Sequence, residues 1–430
     1  MVPCGPRPDK PATNDVDPVH RAALADIAFR GLPNARVELF DLELETFTRT
    51  DELDARFSAD GDIWHVVGAG LIAGGARGES VVHTLWERGA EMWSALQFVV
   101  IVHPGRTFDP ADLPPKSRVI EVDTPDDGAS AAIAELIFRR VPYQHLVPAE
   151  VVDYIERYGL YRGRIPSRAT NFALAEPRIL IFADERNERA RGWAEQLRPF
   201  ENVESPNCIV SLGGDGTMLR AIRAHWRRRL PFLGINAGHL GFLLNSAESV
   251  LGGGFPPGDL VVRQMPMLYV ELLKADGSTE TALAFNDAWV ERVTSQSAWI
   301  ELKVNDRPRI AKLVADGVLV STAAGSTAYA RSMGCPPLLA DTPGWLIVGS
   351  NVMDPPGWKS ALLSTEASVE LRNIGGEKRP VRAFIDGQNA GEVIAMRARQ
   401  SRIAAAELAF CSQHDMAEKI AQIQFPAGAA

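Results

Sequence analysis

Paired cysteines are missing from this 430-residue chain. The four it has, Cys4, Cys208, Cys335 and Cys411, are scattered without recurring spacing. That argues against a disulfide framework and a cysteine-based zinc site, and it fits a reducing, cytoplasmic location. Long apolar runs are missing too: none reaches the roughly 20 residues a membrane-crossing helix needs. There is no excess of basic residues, and the net charge of −9 speaks against nucleic acid as the main partner. Residues 1–21 are rich in proline and aspartate and lack the basic-then-apolar layout of a secretion signal. They read as a disordered lead-in. No internal repeat is visible. What is present is an apolar share of 46%, typical of packed globular proteins, in a chain long enough for two or three domains.

The most informative stretch is Ser211-Leu212-Gly213-Gly214-Asp215-Gly216-Thr217. It follows the apolar run Cys208-Ile209-Val210 and precedes a helix-like segment, residues 218–226. A glycine-rich turn between strand and helix presents backbone N–H groups at the positive end of the helix dipole, where they can hold phosphate. Gly213, Gly214, Gly216 and Thr217 are the candidate phosphate binders. Lysine and arginine are absent from the turn, and Asp215 stands at its centre. A phosphate loop that keeps a carboxylate at its tip points to proton transfer at that carboxylate. The plainer alternative is a tight turn with Asp215 as a helix cap.

The hydrophobic pattern predicts α/β plus all-β architecture. A front α/β domain spans residues 22–168, with strands expected at 35–44, 62–67 and 98–102 and helices at 81–94 and 129–140. An α/β phosphate-binding domain follows at 169–262, with strands at 178–183, 207–212 and 231–236 and a helix at 187–197. Short strand-like runs separated by turn residues fill 263–410 and predict an antiparallel β domain. Residues 411–430 read as a C-terminal helix and tail, the helix at 415–423.

Three segments in order carry a family resemblance. Gly-Gly-Asp-Gly-Thr at 213–217 is shared by phosphofructokinases, lipid kinases and NAD kinases. Gly234-Ile235-Asn236-Ala237-Gly238-His239-Leu240-Gly241-Phe242-Leu243 and the long run from Asp316-Gly317 to Gly325-Ser326-Thr327-Ala328-Tyr329 resemble the second and third signatures of the NAD kinase family. Asn286-Asp287 falls where that family has an Asn-Glu pair, and Asp386-Gly387 at its late Asp-Gly turn. The resemblance covers roughly residues 177–410. It implies an ATP- or polyphosphate-dependent kinase in which Asp215 is the general base on the 2′-hydroxyl of the adenosine half of NAD. It further implies an acceptor pocket made by Asn286, Asp287, Asp316, Ser326, Thr327, Ala328, Tyr329 and Asp386, with Asp316 and Asp386 at the rim. Mg²⁺ would arrive with ATP, no metal ligands of the chain's own being legible, and the protein would be a homo-oligomer.

Chemistry supports several of these assignments separately. Asn286 offers the donor and acceptor that an adenine edge requires. Asp287 suits ribose hydroxyls, Ser326-Thr327-Ala328 is small enough for close backbone approach, and Tyr329 can stack on a base. His239 reads as a loop residue packed against the turn, with no catalytic role. The acceptor side departs from the family pattern: Asp287 is one methylene short of glutamate, Thr322-Ala323-Ala324-Gly325 stands for Thr-Pro-Thr-Gly, and Gly334-Cys335-Pro336 stands for Gly-Gly-Pro. Gly349 to Trp358 replaces a Pro-x-Cys-Pro-His-type stretch. A kinase for another nucleoside or nucleotide, and a non-catalytic NAD(P) sensor, are therefore kept as alternatives. In the front region, Trp86-Glu87-Arg88-Gly89-Ala90 before an apolar strand is similar to nucleoside deoxyribosyltransferase-like and TIR-like α/β folds. There a glutamate in the position of Glu87 would act on an N-glycosidic bond; a solvated helix face is the alternative.

Overall fold

The computed structural model describes residues 1–6, 16–123, 130–238 and 240–425. The chain separates into two compact units that interleave in sequence. One comprises Met1–Val16, Glu38–Ile155 and Gly159–Arg164; the other comprises Asp17–Val37, Glu156–Tyr158 and Ile165–Ala430.

The first unit holds a three-stranded parallel sheet, His65–Gly68, Phe98–Val102 and Ser117–Glu121, in that spatial order. Phe98 and Val100 are fully buried in its core with Ile72 and Val82. The strand expected at 35–44 is absent; its end forms the short helix Phe40–Leu44 instead. Asp41 explains the difference, because its buried carboxylate accepts from the hydroxyls of Thr46 and Thr48 and from the Thr48 amide, curling the chain locally. The helix expected at 81–94 breaks into Val81–Leu85 and Gly89–Ala95, with Arg88 left-handed (φ 56°) at the break.

The second unit begins with a helix, Pro18–Phe29, whose first four residues belong to the stretch 1–21 that read as a disordered lead-in. Among the described residues its main sheet has ten strands, seven of them in one continuous path. Ile179–Ala183, Cys208–Gly213 and Pro231–Asn236 pair in parallel, and the last of them pairs in parallel with Ala395–Cys411. Cys208–Gly213 is buried at every position, as expected for a strand covered on both faces. Ala395–Cys411 and Leu260–Leu273 are long strands of 17 and 14 residues. They pair antiparallel with each other and carry the sheet from its parallel part into antiparallel strands, with a register irregularity between Gln400 and Ala405.

A second, six-stranded antiparallel sheet runs in the order Ser360–Ser364, Gly344–Ser350, Gly317–Ser321, Asp287–Arg292, Val381–Ile385, Gln388–Val393. Alternation along Asp287–Arg292 decides its two faces. Ala288 and Val290 enter the large apolar core with Val318, Val320 and Ile347. Asp287, Trp289 and Glu291 project from the other face, against which Ala330, Met333, Cys335 and Leu338 pack. The fold is thus mixed α/β with parallel strands plus an antiparallel sheet. No helix among the described residues is long and apolar enough to cross a membrane.

Candidate active site

The strand Cys208–Gly213 delivers the chain to the glycine turn, and the helix Asp215–His225 leaves it. Gly213 has φ 155°, and a Cβ placed there would lie 2.5 Å from the Thr217 hydroxyl oxygen. Only glycine lets the strand turn so closely over the first helical turn. Asp215 and Gly216 are the first two helical residues, so their amides have no intrahelical acceptor and remain available to an anion. Thr217 is more committed: its amide donates to the Gly214 carbonyl and its buried hydroxyl accepts from Arg220.

Asp215 is held at both oxygens. Oδ2 accepts from the Phe242 amide at 3.0 Å and Oδ1 from the Leu243 amide at 2.9 Å. Each oxygen keeps a lone pair for another donor. The turn supplying those amides is anchored by Asn245, a fully buried side chain. Its amide group donates to the carbonyls of Gly234 and Ala409, and its Oδ1 accepts from the Cys411 amide. Nothing in the local pattern singled out Asn245, because its three partners come from strands far apart in sequence. His239 lies outside the described residues.

The wall that carries Asn286 and Asp287 is built around Asp386. This residue is left-handed (φ 46°) in the hairpin between Val381–Ile385 and Gln388–Val393. Its carboxylate accepts from the amides of Phe285, Asn286 and Asp287 at 2.9, 2.7 and 3.1 Å. Asp386 thereby sits beneath Asn286 and Asp287 as a support. Burial still outweighs those bonds and raises its carboxyl above the usual range. Asp287 is 4% exposed, and burial, with the neighbouring Asp386 charge, pushes it up to about 7. Asn286 presents a buried Oδ1 that finds no hydrogen-bond donor among the described residues. Such an acceptor is costly unless a ligand satisfies it. The backbone of Asn286 is fixed by Thr322, whose amide donates to the Asn286 carbonyl.

The loop at 324–329 meets this wall through Gly325, where a Cβ would fall 2.1 Å from the Asn286 carbonyl oxygen. Ser326 is fully buried and works inside the loop, donating to Ala323 O and accepting from the Leu338 amide. Thr327 donates to Ala324 O at 3.3 Å, and Ala328 is exposed. Tyr329 is 40% exposed and meets Trp289 edge-on at 5.0 Å. Trp289 in turn stacks on Phe384 at 4.8 Å, with 10° between the rings. Its indole N–H is buried and has no acceptor among the described residues. Trp289 escaped the sequence reading because one tryptophan in an alternating strand carries no signal of its own.

Asp316 stands apart from Asp287. The two flank opposite ends of a ladder in which Asp287 pairs with Ser321 and Glu291 with Gly317; four strand rises, roughly 13 Å, separate those ends. Asn351 and Arg292 hold the Asp316 carboxyl below its ordinary range, at 2.7 and 2.6 Å. Asp316, Arg292, Asn351, Trp289 and Tyr329 line one cavity of about 550 Å³. Asn351 belongs to the Gly349–Trp358 departure from the family pattern, so that segment helps form this cavity. The turn and the wall are linked by Arg223, which donates to the Asp386 carbonyl at 3.0 Å. Arg223 lies eight residues beyond Asp215 on the same helix, about 12 Å along it. Glu87, in the other unit, lies on an exposed turn and is ion-paired with Arg49. No group of three or more His, Cys, Asp or Glu side chains suited to a metal occurs among the described residues.

Free amides at a helix start, with an oriented carboxylate among them, suit phosphoryl transfer, and the molecule is a phosphotransferase of the kinase class. Known proteins narrow that class. The family model for the ATP-NAD kinase N-terminal domain matches residues 174–249. The NAD kinase of Rickettsia canadensis is 32% identical over 233 residues, covering 54% of this chain and 90% of that protein. The NAD kinase of Mesorhizobium japonicum is 35% identical over 219 residues, covering 50% of this chain and 84% of that protein. The chain belongs to the NAD kinase family. The crystal structure of yeast NADH kinase complexed with NADH overlays with a TM-score of 0.45 at 14% identity, covering 86% of this chain and 89% of that one.

Proposed function

We propose that the protein transfers the γ-phosphoryl group of ATP to the 2′-hydroxyl of the adenosine ribose of NAD, giving NADP and ADP. Support comes foremost from the two-point grip on Asp215 by the Phe242 and Leu243 amides. That grip leaves a lone pair on each oxygen to take the hydroxyl proton. The freed ribose oxygen then bonds to the γ-phosphorus as the bond to the β-phosphate oxygen breaks, and ADP leaves. The amides of Asp215 and Gly216 hold phosphate oxygens meanwhile. Mg²⁺ arriving with ATP would supply neutralisation of phosphate charge. On the acceptor side, the unpartnered Oδ1 of Asn286 matches the exocyclic amine of adenine. Asp287, neutral below about pH 7, can both donate to and accept from ribose hydroxyls.

The test is incubation of the full chain with ATP, Mg²⁺ and NAD, reading NADP. D215N should lower kcat by about 10²–10⁴-fold, the usual worth of a general base, while sparing nucleotide binding. An absence of NADP from the wild-type protein overturns the reading. A second reading rests on the Asn351–Asp316 contact, which brings the non-family segment 349–358 to the cavity wall: the acceptor is then another nucleoside or nucleotide. ADP release with a nucleoside panel, but not with NAD, would select it.

A further inference from the structure

The turn that aims Asp215 is itself held from a third place in the chain. Lys419 lies on the C-terminal helix Met416–Gln424. Its ammonium donates to the carbonyls of Gly241 and Leu244, each at 2.7 Å. The amides of Phe242 and Leu243, between those carbonyls, donate to Asp215. One four-residue turn is therefore gripped by a cation through its outer carbonyls and by an anion through its inner amides. Burial draws the Lys419 ammonium below its ordinary range, and the Asp215 carboxylate opposes that, so the two charges sense each other across the turn.

The same helix reaches the acceptor loop. Arg331, two residues beyond Tyr329, donates to the Ile423 carbonyl at 3.2 Å. The Ala340 amide lies 3.3 Å from the Met416 sulfur, and Ile420 is buried beneath the helix. The helix thus has one fastening on the turn that holds Asp215 and another at Arg331, two residues beyond Tyr329.

We propose that Lys419 is a positioning residue for phosphoryl transfer: it locks the Gly241–Leu244 turn whose amides orient the Asp215 carboxylate. The inference rests on Asp215 being the base. Without the ammonium, two carbonyls lose charge-assisted bonds, the turn relaxes, and the carboxylate loses its aim without losing its neighbours. Misplacement of a reacting group by about 1 Å costs up to about a hundredfold in rate.

The experiment uses the full chain and four variants: K419M, K419R, D215N and, as a control on the exposed side of the same helix, Q422A. In K419M, kcat should fall about ten- to a hundredfold with KM for both nucleotides within about twofold of wild type, the signature of an interaction that acts on the transition state. Amide hydrogen exchange in the peptide spanning residues 240–246 should quicken in K419M. K419R, which keeps charge and donors, should recover most of the rate and the protection, and Q422A should match wild type. Wild-type kcat in K419M overturns the proposal. So does a rate loss that comes with equal losses in KM and thermal stability while exchange at 240–246 is unchanged. Turnover persisting in D215N would instead overturn the general-base reading, and the exchange result would still report whether Lys419 clamps the turn.

Discussion

Asp287 shows how one residue ties the site to the stability of the whole protein. An aspartate in an unfolded chain ionises near pH 4, whereas burial and Asp386 keep Asp287 protonated up to about 7. Between those values the folded state binds more protons than the unfolded one. The stability that Asp287 contributes is therefore fully present below pH 4 and is lost as pH rises through 7. Replacing Asp287 with asparagine, which mimics the neutral acid, should leave the melting temperature unchanged at pH 4 and raise it above wild type at pH 8. Parallel melting curves across that range would refute the argument. Of the slope remaining in D287N, Asp386 and Glu407 contribute in the same direction, whereas His20 and His414, which burial draws down to about 4, contribute in the opposite one. Asp215 was legible in the sequence because its meaning is local: a carboxylate in a glycine turn between strand and helix. Trp289 and Asn245 were not, because their partners, Phe384 for one and Ala409 and Cys411 for the other, are brought to them only by strand pairing.

Elements decide how closely the two walls can approach. The loop at 324–329 lies against the strand beginning at Asp287, and Gly325 is the point of contact. A methyl group there would sit 2.1 Å from the Asn286 carbonyl oxygen and 2.5 Å from its carbonyl carbon. Backbone cannot yield as a side-chain tip does, so G325A should destabilise by the upper part of the about 1–3 kcal/mol typical of overpacking. It should also raise the acceptor KM by displacing Asn286. Thermal denaturation and acceptor titration measure the two effects, and wild-type stability in G325A would mean that the loop moves aside for the methyl group. Element lengths were the least legible feature. Residues 263–410 suggested only short strands, yet one strand runs from Ala395 to Cys411. Its first half carries Arg397 and Arg399, which break the apolar pattern. Arg397 projects to the exposed face and pairs there with Glu370 on the neighbouring strand at 2.6 Å, a contact visible only once the register is known.

At the scale of the molecule, the kinase unit is closed by segments distant in sequence. Asp26, from the helix Pro18–Phe29, accepts from the buried Arg229 at 2.9 Å and also pairs with Arg227. Arg157, from the short stretch Glu156–Tyr158, pairs with the buried Glu407 at 2.7 Å. Removing one partner of a buried ion pair leaves the other charge unpaired, which costs about 3–5 kcal/mol. D26A should lower the unfolding free energy by about that much in urea titration, without change in the KM for ATP. A change under about 1 kcal/mol, the range of exposed pairs, would mean that Arg229 finds water instead. A fragment beginning at Ile165 lacks both Asp26 and Arg157, so for the same reason it should be less stable than the full chain.

The order of the motifs, the chemistry of the glycine turn and the alternation of apolar residues were sufficient to specify a phosphate-binding α/β layer followed by antiparallel strands. Those signals are local, spanning a turn of helix or a few residues of strand. Folding had to settle everything that depends on distant segments meeting: the amides that aim Asp215, the three that lie over Asp386, the long strands shared by both parts of the main sheet, and the lysine clamp from the C-terminal helix. Hydrogen bonds and buried charges join whichever groups are adjacent in space, and adjacency over 100 or 200 residues leaves no periodic trace in a single sequence.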